Sequence, residues 1–168
     1  MTQRLLSVGL LTSARAWRGS GVSLANVARG LADRGHHPHM FAGEAAVVDA
    51  FSRLGLPAIR VGTSNTGWRQ VATLARALRT HRIDVVMVDR PRDLRLSALA
   101  SIWYPHVIVN RYNLSRHNPP IDLVSRMAYW RVAMTIFLSR TTAERTLQSA
   151  PYISRRPYRI IPGAVDTE

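Results

Sequence analysis

The stretch LLSVGLLTSARAWRGSGVSLANVARGLADRGHHPHMF, Leu5 to Phe41, decides how this chain folds. Leu5 to Leu11 is almost continuously apolar, the pattern of a parallel strand covered on both faces. A loop containing Gly19, Ser20 and Gly21 follows. Leu24, Val27, Ala28, Leu31 and Ala32 then recur at helical spacing on one face, with Asn26, Arg29 and Asp33 turned outward and Gly35 as the stop. A second strand is expected around His39 to Ala42. Strand, glycine loop, helix and strand in that order make a βαβ unit, whose crossover is right-handed and whose strands pair in parallel.

The alternation continues outward from this unit. A helix is expected through Val47 to Leu54, a strand at Ala58 to Val61 and a helix from Trp68 to about Thr80. Within RIDVVMVDRP, Val85 to Val88 make the best central strand, and a helix follows with Leu96, Leu99, Ala100 and Trp103 on one side. HVIVN and MTIFLS supply two more strands, with a helix near Asp122 to Arg131 between them and another from Thr141 to Gln148 after them; YRIIP closes the series. The expectation is a single doubly wound, Rossmann-like α/β domain over residues 1–168, a parallel sheet with helices on both faces. No internal repeat, low-complexity tract or interior linker interrupts it.

Composition narrows the chemistry. All 23 basic side chains are arginine, and against ten carboxylates they leave a formal charge of +13, so the surface attracts anions. With no lysine, a Walker P-loop, a kinase fold and a pyridoxal Schiff base are excluded, because each needs an ammonium that guanidinium does not replace. With no cysteine there is no disulfide framework, thiolate nucleophile or cysteine-ligated zinc, which is compatible with a reducing compartment. No apolar run reaches the roughly 18 residues that a bilayer span requires. The opening MTQRLLSVGLLTSARA imitates a signal peptide, with Arg4 before an apolar core and Ala14-Arg15-Ala16 at the cleavage position, but a first β-strand accounts for it better.

Ligands of open α/β sheets bind outside the carboxyl ends of the strands, which restricts the search to a few loops. In the first, Gly19 and Gly21 let backbone approach a ligand. The amides and dipole of the following helix favour a phosphate there, with Ser20 or Ser23 as cap or hydroxyl donor. The alternative is that the glycines only shape the loop and start the helix. A dinucleotide fingerprint fits poorly, since Leu24 stands where the third glycine or alanine belongs, although Glu44 after the second strand is placed to serve a ribose.

At the end of the central strand, Asp89, Arg90 and Arg92 have the chemistry to orient a sugar hydroxyl or a phosphate, or to form a solvated ion pair at a helix start. Asn110, Arg111, Tyr112 and Asn113 offer a dense set of donors after the next strand. Ser139 and Arg140 follow the strand after that, where Ser139 also suits helix capping. His36, His37 and His39 look metal-like, but no acidic or cysteine neighbour stands in spacing, so turn and strand roles are favoured and no metal site is expected. There is no G-x-S-x-G elbow, and no pattern singles out a carboxylate pair. The helix IDLVSRMAYWR combines Arg126 and Arg131 with Tyr129 and Trp130. That mixture suits an anionic membrane surface, but a core-packing helix with an arginine outer face is the favoured reading.

Together, GSGVSLANVARGLADRGHHPHMF, RIDVVMVD, TIFLSRTTAERTL and the closing YRIIPGAVDTE resemble the N-terminal domain of a family 4 glycosyltransferase of the GT-B fold. The last piece is similar to the I-P-N-G-V-D turn that leads into the second domain of such enzymes. The resemblance implies transfer of a sugar from a nucleotide-sugar donor to an acceptor hydroxyl on a glycan, lipid or small molecule, with retention of anomeric configuration and no obligatory metal. It implies that residues 1–168 are the acceptor-side half, inactive without the C-terminal nucleotide-sugar domain; beside the resemblance, a cytoplasmic location is expected, with peripheral contact with the inner face of the membrane left as an option. Gly19, Ser20, Gly21 and Ser23 then face the donor's phosphates, and Asp89, Arg90, Asn110, Arg111, Tyr112 and Ser139 are acceptor-side candidates. The chain departs from the family in reading Asn110-Arg111-Tyr112 where a histidine often follows the fifth strand, and the acidic E-x7-E signature belongs to the other domain, so no catalytic residue is assigned. Two rival readings are an arginine-rich module that binds nucleic acid and a small dinucleotide-dependent reductase.

Overall fold

A computed structural model describes residues 4–62, 66–112 and 122–162. Its strands are β1 (Ser7–Thr12), β2 (His37–Ala42), β3 (Ala58–Arg60), β4 (Val85–Val88), β5 (Val107–Tyr112), β6 (Val132–Phe137) and β7 (Tyr158–Ile160). Between them run α1 (Gly19–Ala32), α2 (Ala45–Arg53), α3 (Trp68–Thr80), α4 (Pro91–Trp103), α5 (Leu123–Trp130) and α6 (Arg140–Ser149), with a 3-10 turn at Pro151–Arg155 before β7. The seven strands form one sheet in the order β3-β2-β1-β4-β5-β6-β7, every pair parallel. This is the doubly wound, Rossmann-like sheet that the alternating pattern demands.

The apolar run that opens the chain becomes β1 because its two faces are used at once. Leu10 packs with Leu24, Met40 and Phe51 beneath α1 and α2, whereas Leu11 belongs with Phe41, Leu74, Leu78 and Leu94 beneath α3 and α4. Between them, Gly9 leaves room for a neighbour: a Cβ there would lie 2.9 Å from the Phe41 ring. At the far end of α1, Gly35 takes φ +81°, while His36 N–H bonds back to the Leu31 carbonyl at 3.0 Å and Gly35 N–H to Ala32 at 2.8 Å. That pair of bonds is the Schellman arrangement, and it explains why glycine ends this helix.

Right-handed crossovers place α1 and α2 on one face and α3 to α6 on the other. The order of strand addition reverses between β1 and β4, so a topological switch point opens at their carboxyl ends. Among the described residues no helix covers β5 to β7 on the α1 side.

Three expectations need correction. β5 does not end at Asn110 but continues through Arg111 and Tyr112, which pair with Ile136 and Phe137 of β6. The three polar residues are therefore strand residues, not a loop. In α4, Leu96 and Ala100 are buried but Trp103 is 48% exposed, because it sits at the helix's last position, clear of the sheet. In α5 the inward face and the arginine exterior hold, with Ser125, Ala128 and Tyr129 buried and Arg126 and Arg131 exposed, but the outer face is not arginine alone: Leu123, Val124, Met127 and Trp130 also face solvent.

Candidate functional site

The glycine loop runs from the end of β1 into α1 at the switch point. Trp17 lies edge-on to Phe51 with ring centroids 5.0 Å apart, and it also covers Gly21. A Cβ on Gly21 would stand 2.9 Å from the Trp17 ring, whereas one on Gly19 would meet nothing within 4 Å. The two glycines thus have different reasons to be glycine: Gly21 accommodates an aromatic neighbour, and Gly19 leaves an open approach to the start of the helix. Arg18 is the N-cap and gives no side-chain bond, so neither Ser20 nor Ser23 caps α1. The amides of Gly21 and Val22 bond to the Arg18 carbonyl, while those of Gly19 and Ser20 find no partner among the described residues. Two unpaired N–H groups at a helix start carry positive potential suited to an anionic oxygen.

Both ends of the loop are fastened by buried polar side chains. At its start, Ser13 N–H donates to Asp93 Oδ2 at 3.0 Å. At its far end, Arg111 Nη2 donates to Ser23 Oγ at 2.5 Å. Asp89 lies between these anchors at the end of β4, and Asp89, Asp93 and Arg111 are all buried. Burial raises the pKa of both carboxyls, Asp93 well above the usual range, with the charge of Asp89 adding to the effect. Arg90 and Arg111 oppose the rise at Asp89. As two ionised carboxylates, Asp89 Oδ1 and Oδ2 and Asp93 Oδ1 would have no hydrogen-bond donor. A proton shared between Asp93 and Asp89 would pair Asp93 Oδ1 with one Asp89 oxygen and leave a single negative charge facing Arg111. Arg111 acts on that charge without a hydrogen bond to it, and its Nη1 is also unpartnered.

The acceptor-side candidates divide because side chains alternate along a strand. Arg111 points toward α1 and joins the loop. Asn110 and Tyr112 point the other way: Asn110 faces Tyr129 beneath α5, and Tyr112 packs on Phe137 at 5.6 Å and faces Thr146 of α6. Asn110 keeps a buried, unpartnered Nδ2 there. Ser139 caps α6, accepting from Thr142 N–H at 3.1 Å. Arg90 is exposed at the start of α4. Asn113 and the closing stretch 163–168 lie outside the described residues. Asp89 is 4% exposed, so the reading of a solvated ion pair is also corrected.

Asp93 and Ser13 were not chosen from the sequence, since their contact joins residues 80 apart; a carboxylate in the first turn after Pro91 was the available signal. Glu44 is the N-cap of α2 and makes no side-chain cap bond. His36 Nδ1 accepts from Leu6 N–H at 3.2 Å, and the His39 ring lies tilted at 45° to that of His81 with centroids 4.9 Å apart, with burial chiefly lowering the pKa of His39. Among the described residues no three His, Asp or Glu side chains are grouped to hold a metal ion. Beyond Ser23 a cleft of about 650 Å³ extends over the uncovered half of the sheet, with Met87, Ile136 and Leu138 beneath and Arg29, Arg34 and Arg111 around it.

The fold is shared with solved enzymes. Anabaena HepE in complex with UDP-glucose superposes with a TM-score of 0.75 at 14% identity, covering 96% of this chain and 44% of that one. A glycosyltransferase from Rickettsia africae gives 0.72 at 14% identity over 95% of this chain and 43% of its own. The lipopolysaccharide outer core galactosyltransferase WaaB gives 0.73 at 10% identity over 96% and 46%. At these identities the likeness is one of fold, and the chain spans less than half the length of each. No curated protein matches in sequence. The family model "Glycosyltransferase Family 4" matches residues 17–168, from the glycine loop onward, and the chain belongs to that family.

Proposed function

We propose that this domain is the acceptor-side half of an enzyme that transfers a sugar from a nucleotide-sugar donor to a hydroxyl of a glycan, lipid or small molecule. The transfer retains anomeric configuration and needs no obligatory metal. The observation that carries the reading is the glycine loop of a family 4 domain, pinned at both ends at the switch point and presenting the free amides of Gly19 and Ser20. A nucleoside diphosphate leaving group gains charge as the glycosidic bond breaks, and donors already fixed in place stabilise that charge without reorganising. HepE bound to UDP-glucose supports a uridine nucleotide-sugar as one candidate donor.

Asp93 and Arg111 act by position, holding Ser13 and Ser23, and touch no reacting atom. Half of the donor site belongs to a second domain, so residues 1–168 alone are expected to be inactive. The enzyme works in the cytoplasm, at the inner face of a membrane. The test is Gly19→Val in the polypeptide that joins this domain to its nucleotide-sugar half. The valine side chain fills the open approach to the Gly19 and Ser20 amides, so turnover should fall by about 100-fold, as much as when one preorganised donor is denied to the leaving group, with unchanged unfolding. Unchanged turnover would return the loop to a purely structural role.

A further inference from the structure

Helix α5 is inverted relative to an ordinary surface helix. It buries Ser125, Ala128 and Tyr129 and turns Leu123 (71% exposed), Val124 (53%), Met127 (56%) and Trp130 (56%) to solvent. These positions are i, i+1, i+4 and i+7, a continuous stripe along the helix. Helix α4 packs beside α5 and ends in Ile102 and Trp103, which are also exposed. An apolar surface of this extent on one layer is the mark of a docking surface.

Its border is cationic. Arg126 lies over the Tyr152 ring at 5.8 Å, Arg156 donates to the Trp130 carbonyl, and exposed Arg131 follows the last turn of α5. The nearby acid, Asp122, is already engaged, capping α5 through Ser125 N–H at 2.9 Å and facing Arg95 at 3.8 Å. Apolar side chains on a helix face with unneutralised arginines at its edges match the layering of an anionic lipid surface, hydrocarbon below and phosphate above.

We propose that the outer face of α4 and α5 docks on anionic lipid, with Leu123, Val124, Met127 and Trp130 entering the headgroup boundary and Arg126, Arg131 and Arg156 meeting lipid phosphates. This names the surface that makes the membrane contact of the proposed function. It stands on the exposure of these side chains and not on the glycine loop, so vesicle binding and sugar transfer fail separately.

The experiment is co-sedimentation of the 168-residue chain with vesicles of phosphatidylglycerol and phosphatidylcholine, and with phosphatidylcholine alone. The parent should bind the anionic vesicles selectively. Leu123→Ser with Met127→Ser keeps the net charge and should weaken binding at least about tenfold. Arg126→Gln and Arg131→Gln should each weaken it by about fivefold. Brominated lipid should quench the tryptophan fluorescence; the quenching should fall in Trp130→Phe, leaving the share of Trp103 on α4, and stay unchanged in Trp68→Phe, since Trp68 stands on α3. All six substituted positions are exposed, and an unchanged unfolding midpoint checks each variant. If the double serine variant binds like the parent, the adsorption is by charge alone and the proposal fails. It also fails if the parent self-associates and the serine variant does not, because a second copy then covers the face, or if a soluble acidic protein competes while vesicles do not.

Discussion

Replacing Asp93 by asparagine tests the shared-proton reading of the buried carboxyl pair. Burial, and then the charge of Asp89, hold the Asp93 carboxyl well above its free value of 3.8, and burial raises Asp89 as well. A carboxyl raised in the native state keeps its proton after the unfolded chain has lost its own. Stability is therefore highest below the free value and falls as pH climbs from there toward the native value, by about 1.4 kcal/mol per pH unit for each retained proton. In Asp93→Asn the new amide keeps an oxygen for Ser13 N–H and presents an N–H donor to Asp89 where the shared proton stood. It carries the hydrogen bonds without the titration. The expected result is a variant at least as stable as the parent at pH 7.5, with a flatter stability profile between pH 4.5 and 7.5. Asp89→Asn should do the opposite, because it leaves Arg111 buried without a counter-charge, at a cost of about 3 kcal/mol or more. Urea unfolding followed by tryptophan fluorescence at several pH values measures both. Loss of more than about 1 kcal/mol in Asp93→Asn at pH 7.5, near the worth of one hydrogen bond, with the parent's slope retained, would refute the shared proton.

Gly21→Val drives a side chain into Trp17 and should cost about 1–3 kcal/mol by overpacking, whereas Gly19→Val should stay within about 0.5 kcal/mol of the parent; thermal unfolding separates them. A valine test of the loop therefore belongs at Gly19 alone, because valine at Gly21 also disturbs the fold. Phe51→Ala removes a fully buried ring and the support of Trp17, and should cost about 3–5 kcal/mol in denaturant titration. If the charge of +13 served nucleic acid, duplex DNA would protect the chain from proteolysis as a sized footprint; salt-sensitive adsorption without a footprint is expected instead.

The sheet was legible because β1 and β4 sit at its centre and need apolar side chains on both faces. The helical stripe of α1 and its Gly35 stop were equally clear, since both are local. β5 was cut short because Asn110, Arg111 and Tyr112 look like a polar loop. In the fold each finds its partner on alternate faces, in Tyr129, Ser23 and Thr146, and none of these contacts is local. α5 spans only eight residues with apolar groups on both sides, so its period could not say which side was inward. The glycine loop was found by position, but the division of labour between Gly19 and Gly21 depends on where Trp17 folds back. The Asp93 anchor depends on a contact with Ser13 that no sequence window spans.

The most direct test of the central claim is release of nucleoside diphosphate from a panel of nucleotide-sugars by the polypeptide carrying this domain together with its nucleotide-sugar half. Release from one donor class, stimulated by a hydroxyl acceptor and reduced about 100-fold by Gly19→Val at unchanged stability, is the expected result. Release that is indifferent to Gly19→Val, or absent with every donor in a well-folded protein, would contradict a phosphate-facing glycine loop in a sugar-transfer enzyme.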